Sequence, residues 1–214
     1  PDDVIKAYGA DTMRLYILFI GDFEKTATWS DDAVKGCKRF LDKVWNLGEA
    51  VTDNETEISK KNEIAINKAI KKVGEDIDTL KANTAIATLM SLVNTFNANG
   101  CNKAELKILL TLLSPFAPHI CEEIWQQHGF EGLCSVTPWP TYDPAKTVDP
   151  EIDMAIQVNG KFRGTMRIAA DVDKDTAIAS ALETDIVKRQ LAAIGGEVRK
   201  TIVVPEKLIN LIIK

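Results

Sequence analysis

A proline-rich corner in the second half of the chain constrains its fold more than any other stretch. The apolar helical pattern from Leu106 to Leu113 runs directly into Ser114-Pro115-Phe116-Ala117-Pro118. Pro115 disfavours helical geometry at Ser114, and Pro118 fits only the first position of a new helix, because its ring fixes φ and removes the amide N–H. The segment that follows has its apolar residues on one face, at Ile120, Ile124 and Trp125. The sequence therefore predicts two helices joined by a tight reversal, the second of them docked on a helical bundle.

The same corner contains the only pattern that resembles a metal site. The residues from His119 to Glu123 read H-x-x-E-E, whereas the inverted zinc motif H-x-x-E-H has a second histidine where Glu123 stands. The other histidine of the chain, His128, lies nine residues further on. We therefore interpret this segment as a capped helix start and predict no metal site.

Composition is that of a globular protein without membrane spans. With 214 residues, of which 45% are hydrophobic and 27% charged, the chain can bury one large core or two modest ones. Its apolar runs are far too short to cross a bilayer, and no signal peptide is recognisable. The cysteines are scattered without a C-x-x-C pair, which favours buried thiols in a reducing cytoplasm over disulfides or zinc. They are Cys37, Cys101, Cys121 and Cys134.

Residues 1–28 are unusually apolar for the start of a chain. Asp2 or Asp3 can cap a short helix that ends at Gly9, and the next segment, from Asp11 to Ile20, is dense in large apolar side chains. The sequence also starts without a methionine. These features predict that the chain is a fragment of a longer protein and that residues 1–28 pack against a larger part of it.

Residues 29–140 show repeated helical periodicity. After an N-cap at Ser30 or Asp31, apolar residues from Val34 to Leu47 form one stripe. The next helical pattern has apolar residues at spacings of three and four, namely Ile66, Ile70, Val73, Ile77 and Leu80. Short connections between such helices predict an antiparallel bundle.

Two further helix starts belong to the same bundle. Asn83 or Thr84 begins a helix that ends by Gly100. Asn102 and Glu105 then have the spacing of a capping box, which predicts the start of the helix that leads into the proline corner.

The charges are unevenly distributed along the chain. The net charge is −5, yet the last 64 residues carry ten Lys or Arg against nine acidic residues, which favours an anionic partner at that end. In the first long helix four cations lie outside the apolar stripe, and they indicate either a solvated face or a nucleic-acid contact. They are Lys35, Lys38, Arg39 and Lys43.

A change of pattern marks a domain boundary. Residues 141–152 are polar and contain Pro144 and Pro150, whereas residues 153–214 alternate between apolar and polar positions. We predict a semi-extended linker over 141–152, followed by a small α+β domain over 153–214. The fold class predicted for the whole chain is mainly α, an antiparallel helical bundle followed by this α+β domain.

The small domain opens with a hairpin signal at Asn159-Gly160, the dipeptide that a type I′ turn prefers. Strict alternation after this turn predicts inward side chains at Phe162, Gly164, Met166 and Ile168. Lys161, Arg163 and Arg167 then form an outward basic row that suits RNA phosphates. The row could be extended by Arg199, Lys200 and Lys207. For each cation the alternative is a solvated strand edge that discourages aggregation.

The rest of the domain is predicted to contain two short helices and a second pair of strands. The helices are expected over Asp173–Leu182 and Ile186–Leu191. The strands are expected over Val198–Val204 and Leu208–Ile213, separated at Pro205.

Several motifs resemble the C-terminal part of the class I aminoacyl-tRNA synthetases. The segment from Tyr8 to Leu15 resembles the one that follows the KMSKS loop in the leucine, isoleucine and valine enzymes, and residues 29–45 and 113–125 resemble their anticodon-binding bundle. The leucine enzyme is distinguished by three further matches, which start at Asn83, Val158 and Val198. The chain therefore resembles the C-terminal fragment of a bacterial-type leucyl-tRNA synthetase.

The resemblance implies a role in tRNA binding without catalysis in this part of the protein. The family binds ATP, Mg and leucine, and edits misacylated tRNA, in domains upstream of Pro1, so no cofactor is expected here. The expected partners are tRNA(Leu), held in position by the bundle and the C-terminal domain, and the upstream catalytic domain. The resemblance also implies that residues 1–28 are the edge of the catalytic region after the KMSKS loop. A cytoplasmic monomer is expected.

Two other functions remain open from the sequence. One is the equivalent part of a valyl or isoleucyl enzyme. The other is a helical interaction scaffold without an RNA partner, in which the apolar N-terminal segment binds another protein.

Overall fold

The chain folds into two compact units, Pro1–Val148 and Asp149–Lys214. The structure, a computed structural model, describes residues 1–21, 26, 28–148, 151–205 and 207–213. The described part of the first unit is helical, and the second unit is a four-stranded sheet with two helices. The predicted fold class, mainly α with a small α+β domain at the end, is confirmed.

The first unit contains seven α-helices within its described residues. They are α1 Asp2–Tyr8, α2 Ala10–Phe19, α3 Asp31–Ala50, α4 Lys60–Asp78, α5 Ala82–Asn99, α6 Lys103–Leu113 and α7 Pro118–Gln127. Two 3₁₀ turns follow, Cys134–Val136 and Pro144–Thr147. One apolar core joins helices α2 to α7, and its largest fully buried side chains include Trp125, Tyr16 and Phe96.

Helix α2 is part of this core; that residues 1–28 also form the edge of an upstream catalytic region stays a prediction. Leu15 and Tyr16 are buried in the core of the bundle. The Tyr16 hydroxyl accepts a hydrogen bond from the Ser30 amide at 2.8 Å, which connects α2 to the start of α3. The predicted loop from Gly21 to Trp29 lies only partly within the described residues.

The proline corner has the predicted form. Helix α6 ends at Leu113, and α7 begins with Pro118 at its first position. Phe116 and Ala117 are buried between them. The Arg14 guanidinium of α2 donates to the Pro115 carbonyl at 2.8 and 3.2 Å, so the turn is also fixed from outside the helix pair.

The start of α7 is capped by a residue that lies far away in the sequence. The Asp11 carboxylate accepts hydrogen bonds from the amides of Ile120, at 2.7 Å, and His119, at 3.4 Å, and it lies 2.7 Å from His119 Nδ1. These are two of the amides that a helix N-terminus leaves without partners. The segment that starts at His119 is therefore a capped helix start. The cap comes from Asp11 of α2.

The capping box predicted at the start of α6 is present and belongs to a larger network. Asn102 accepts from the Glu105 amide at 2.9 Å, and the fully buried Glu105 carboxylate accepts from the Asn102 amide at 3.0 Å. The same carboxylate accepts from the Ser59 amide and hydroxyl at 2.8 and 2.6 Å and from Asn62 Nδ2 at 2.9 Å. Glu105 thus joins α6 to the start of α4.

The prediction for Leu80 was wrong. Helix α4 ends at Asp78, and Leu80 follows in a left-handed conformation with φ of 56°, with 73% of its surface exposed. The spacing continued the apolar pattern, but the chain turns toward α5 before the side chain can reach the core.

The first part of the predicted linker packs on α4. The Asp143 amide donates to Asn67 Oδ1 at 2.7 Å, and Lys146 Nζ lies 2.6 Å from Glu63 Oε1. This hydrogen bond and the attraction of the Glu63 carboxylate raise the pKa of Lys146. Pro150 lies outside the described residues, and the first strand of the second unit begins at Glu151.

The second unit is a two-layer α+β structure. Its elements are β1 Glu151–Val158, β2 Lys161–Ala169, α8 Lys174–Glu183, α9 Asp185–Ile194, β3 Val198–Val204 and β4 Leu208–Ile213. The strand order is β2-β1-β4-β3; β1 and β4 are parallel, and the two outer pairs are antiparallel. Helices α8 and α9 cover one face through Ala177, Ala181 and Val187.

Candidate nucleic-acid interface

The four-stranded sheet of the second unit has one face that α8 and α9 do not cover, and this open face carries its polar and half-exposed side chains. Met154, Ile156, Ile209 and Leu211 point to the helices and are buried. Because successive strand residues point to opposite faces, the residues between them lie on the open face. The strand register places one residue of each strand side by side there, in the order Phe162, Gln157, Asn210 and Ile202.

The prediction that Phe162 points inward was wrong, because β2 contains a bulge. Ile156 pairs with Gly164, whereas Gln157 pairs with Phe162, so Arg163 is an extra residue between the two pairs. Directly opposite residues share a face, so Phe162 lies with Gln157 on the open face. Its side chain is 62% exposed.

Helix α9 fills the space that an inward side chain at position 164 of β2 would occupy. A Cβ at Gly164 would lie 2.6 Å from Ile186 Cδ1, so this position of β2 is filled by the Ile186 side chain of α9. Sequence alternation alone could not reveal this contact. The glycine at position 164 was its only signal.

The hairpin turn has the predicted conformation and is bonded to β4. Asn159 and Gly160 both have positive φ, 50° and 76°, as a type I′ turn requires. The Asn159 side chain exchanges hydrogen bonds with the backbone of Ile213, and Asn210 Oδ1 accepts from the Gly160 amide at 3.1 Å. These hydrogen bonds attach the turn, which Lys161 follows directly, to the end of β4.

All six predicted RNA-binding cations are exposed, but they do not form one row. Lys161 and Arg163 flank Phe162 next to the hairpin turn. Arg199 and Lys200 are on the opposite edge strand, near the end of β4 that contacts the same turn. The structure thus brings these four cations to one end of the sheet. Lys207 lies in the β3–β4 turn, away from that end.

The bulge also separates the residues of the predicted row. Lys161 pairs with the buried Val158, so its side chain leaves the strand on the face that α8 and α9 cover. Arg167 lies on the open face, opposite Asp153. Six residues of extended chain place Arg167 roughly 20 Å from Lys161. Arg167 Nε also lies 2.9 Å from Glu151 Oε2, so its charge is partly neutralised.

Three of the four cations on α3 have partners within the bundle. Lys35 lies 3.3 Å from Asp32 Oδ1, Lys38 pairs with Asp42, and Lys43 donates to Asn94 Oδ1 at 3.3 Å. These contacts support the interpretation of this surface as a solvated helix face. The sheet domain is the stronger candidate for an RNA contact.

Across the described ranges there is no group of three or more His, Cys, Asp or Glu that could bind a metal ion. Gly195 ends α9 in the left-handed conformation and serves as its C-cap. None of the described helices is long and apolar enough to cross a membrane.

The family model for the anticodon-binding domain of tRNA ligase matches residues 63–178. This match covers more than half of the chain and includes α4 to α7 and the first hairpin. The chain belongs to this family.

More specific relatives are leucine enzymes. The leucine–tRNA ligase of Alkaliphilus oremlandii (strain OhILAs) is 47% identical over 216 residues, which cover 100% of this chain and 26% of the relative. The crystal structure of the ternary complex of Agrobacterium radiobacter K84 agnB2 LeuRS, tRNA and LeuAMS matches with a TM-score of 0.78 and 27% identity, over 100% of this chain and 30% of that chain. The chain therefore spans about a quarter of the length of the curated relative.

Proposed function

We propose that this chain is the tRNA-binding C-terminal portion of a leucine–tRNA ligase. It positions tRNA(Leu) for ATP-dependent leucylation, and for editing, by other parts of the protein. The observation that carries the proposal is the 47% identity to a leucine–tRNA ligase over the whole chain. This identity continues through β3 and β4, which lie beyond the family match to residues 63–178.

The same observation favours this function over the alternatives. A valyl or isoleucyl enzyme would share the bundle, but the relative that matches both units is a leucine enzyme. The hypothesis of a helical scaffold without an RNA partner does not explain why four cations lie at one end of the sheet. Clustered Lys and Arg on a surface are suited to phosphate contacts that orient RNA without reading its sequence.

In this proposal, the chemical steps of leucylation take place in parts of the protein other than this chain. The residues that the structure describes do not fit ATP or Mg, because they contain neither a phosphate-binding glycine loop nor a cluster of carboxylates. We propose that an upstream catalytic domain supplies both and packs on the apolar surface of α1 and α2, where Ile5 and Ile17 are exposed. The working state is a cytoplasmic monomer.

The test is tRNA binding by the chain as a function of salt. We expect binding to tRNA(Leu) whose log affinity falls linearly with log salt, since each phosphate contact releases counterions. The variant Lys161→Ala/Arg163→Ala should flatten the slope by about 0.9 for each phosphate that is no longer neutralised. Arg167→Ala should have less effect, because Arg167 is paired with Glu151.

The matched control is Lys174→Ala/Arg189→Ala, which removes the same two residue types from exposed positions of α8 and α9. It should bind like the wild-type protein, and circular dichroism should show both double variants folded. Folded Lys161→Ala/Arg163→Ala/Arg167→Ala protein with wild-type affinity and slope would refute the role of the hairpin cations. Absence of any tRNA binding by the wild-type chain would contradict the proposed function itself.

A further inference from the structure

We propose that the open face of the sheet binds an exposed nucleobase of the tRNA by stacking it on Phe162, between the side-chain amides of the sheet and the cations of the hairpin. This inference rests on the proposed function and adds a base contact to the phosphate contacts described above. It follows from the position of Phe162 in the bulge, which the sequence pattern did not predict.

The Phe162 ring is placed as a stacking platform. Its side chain is 62% exposed on a face that α8 and α9 do not cover. An aromatic ring gains nothing from exposure to water, and burying one against a partner is favourable. The next residues on this face, Ala155 on β1 and Thr165 on β2, are small, so a flat ring can approach Phe162 from that side.

Side-chain amides stand beside the ring. Gln157 is directly opposite Phe162, and Asn210 is directly opposite Gln157 on the next strand. Neighbouring strands are about 4.8 Å apart, so a base stacked on Phe162 lies within reach of Gln157. Asn210 Oδ1 already accepts from Gly160, which leaves its NH₂ group to donate. Within the part of the chain that the structure describes, the Gln157 side chain has no hydrogen-bond partner.

The charges around the ring favour RNA over an apolar protein surface. Arg163, the extra residue of the bulge, directly follows Phe162 and is exposed. Lys161 directly precedes Phe162 and is also exposed, although it starts on the face that the helices cover. The acidic residues of this sheet edge, Glu151 and Asp153, are at the opposite end of β1, where Arg167 faces both. An exposed aromatic side chain close to cations is the arrangement with which four-stranded sheets and single-strand-binding domains hold unpaired bases.

The test compares tRNA(Leu) binding by Phe162→Ala, Phe162→Trp and the wild-type chain. Loss of one base–aromatic stack should weaken binding about 5- to 150-fold, which corresponds to about 1 to 3 kcal/mol. The salt slope should stay unchanged, because the same phosphates remain neutralised. Phe162→Trp should retain the affinity, and its added indole fluorescence should be quenched when tRNA binds.

The control is Ile194→Ala on α9, which removes an exposed apolar side chain from the helix layer and should have no effect; Ile194 is 45% exposed. Wild-type affinity of Phe162→Ala, with an unquenched indole in Phe162→Trp, would overturn the inference and leave the proposed function intact. A wild-type dimer in sedimentation that Phe162→Ala dissociates would also overturn it, in favour of self-association. If the wild-type chain does not bind tRNA, the proposed function fails and the inference with it.

Discussion

Glu105 is the residue on which three segments of the helical unit converge. Its buried carboxylate accepts four hydrogen bonds, from Ser59, Asn62 and Asn102. A carboxylate offers acceptors only, and all of its partners here are donors. Both the charge and the acceptor count therefore matter at this position.

We predict that Glu105→Gln lowers the free energy of unfolding by about 1 to 3 kcal/mol, because the new NH₂ group would face either the two donors of Ser59 or those of Asn62 and Asn102. Urea unfolding followed by circular dichroism measures the change. Glu75→Gln, at an exposed position of α4, is the control and should change stability by less than about 0.5 kcal/mol. Equal stability of the two variants would contradict the importance of the network.

The reactivity of the four cysteine thiols is set by the surroundings of each side chain. Burial raises the pKa of Cys37 to about 11 and the pKa of Cys134 to about 12, and it also moves the pKa values of Cys101 and Cys121 upward. Only the thiolate is an effective nucleophile. We therefore predict that a thiol reagent at pH 8 labels none of the four in the native protein and all four in urea. Cys37, Cys121 and Cys134 are buried, whereas Cys101, predicted to be buried, is half-buried. Rapid labelling of any one under native conditions would identify a reactive site and contradict the prediction.

Among the elements, the linker predicted over residues 141–152 was only partly predictable. Its prolines and polar residues correctly indicated a change of structure, because a helix cannot continue through them. Composition could not reveal that Asp143 and Lys146 would bond to Asn67 and Glu63, since those partners lie 76 and 83 residues away.

We predict that chymotrypsin cuts slowly after Tyr142 in the wild-type chain, because these two contacts hold the segment on α4 and a protease requires an unfolded stretch. Asn67→Ala/Glu63→Ala should release the segment and accelerate this cut, which mass spectrometry of the fragments would detect. Lys60→Ala, at the exposed start of α4, should behave like the wild type. Equal rates in all three proteins would mean that the contacts do not protect Tyr142.

For the molecule as a whole, we predict that the chain alone shows no leucine-dependent exchange of pyrophosphate into ATP. Its described residues offer no phosphate-binding glycine loop. A full-length leucine–tRNA ligase would be the positive control in the same assay. Leucine-dependent pyrophosphate exchange by the purified chain at a rate above the blank would contradict the proposal that catalysis takes place in another domain.

Most elements and the fold class could be predicted from the order of the residues alone. The corner at Pro115 and Pro118, the capping box at Asn102 and the Asn159-Gly160 turn depend on backbone sterics and on contacts within a few residues, so they could be recognised without the fold. The exposure of the six predicted cations also followed from their chemistry, because burying a charged side chain is costly.

Which of these side chains meet depends instead on the packing of distant segments. The bulge at Arg163 lies next to Gly164, where Ile186 of α9 fills the space of a side chain, and the bulge reverses the face on which Phe162 lies. The strand order places Arg199 and Lys200 at the same end of the sheet as Lys161 and Arg163, although nearly forty residues separate the two pairs in the chain. Local propensity cannot specify such pairings, because contacts between distant segments form only when those segments pack around a shared core.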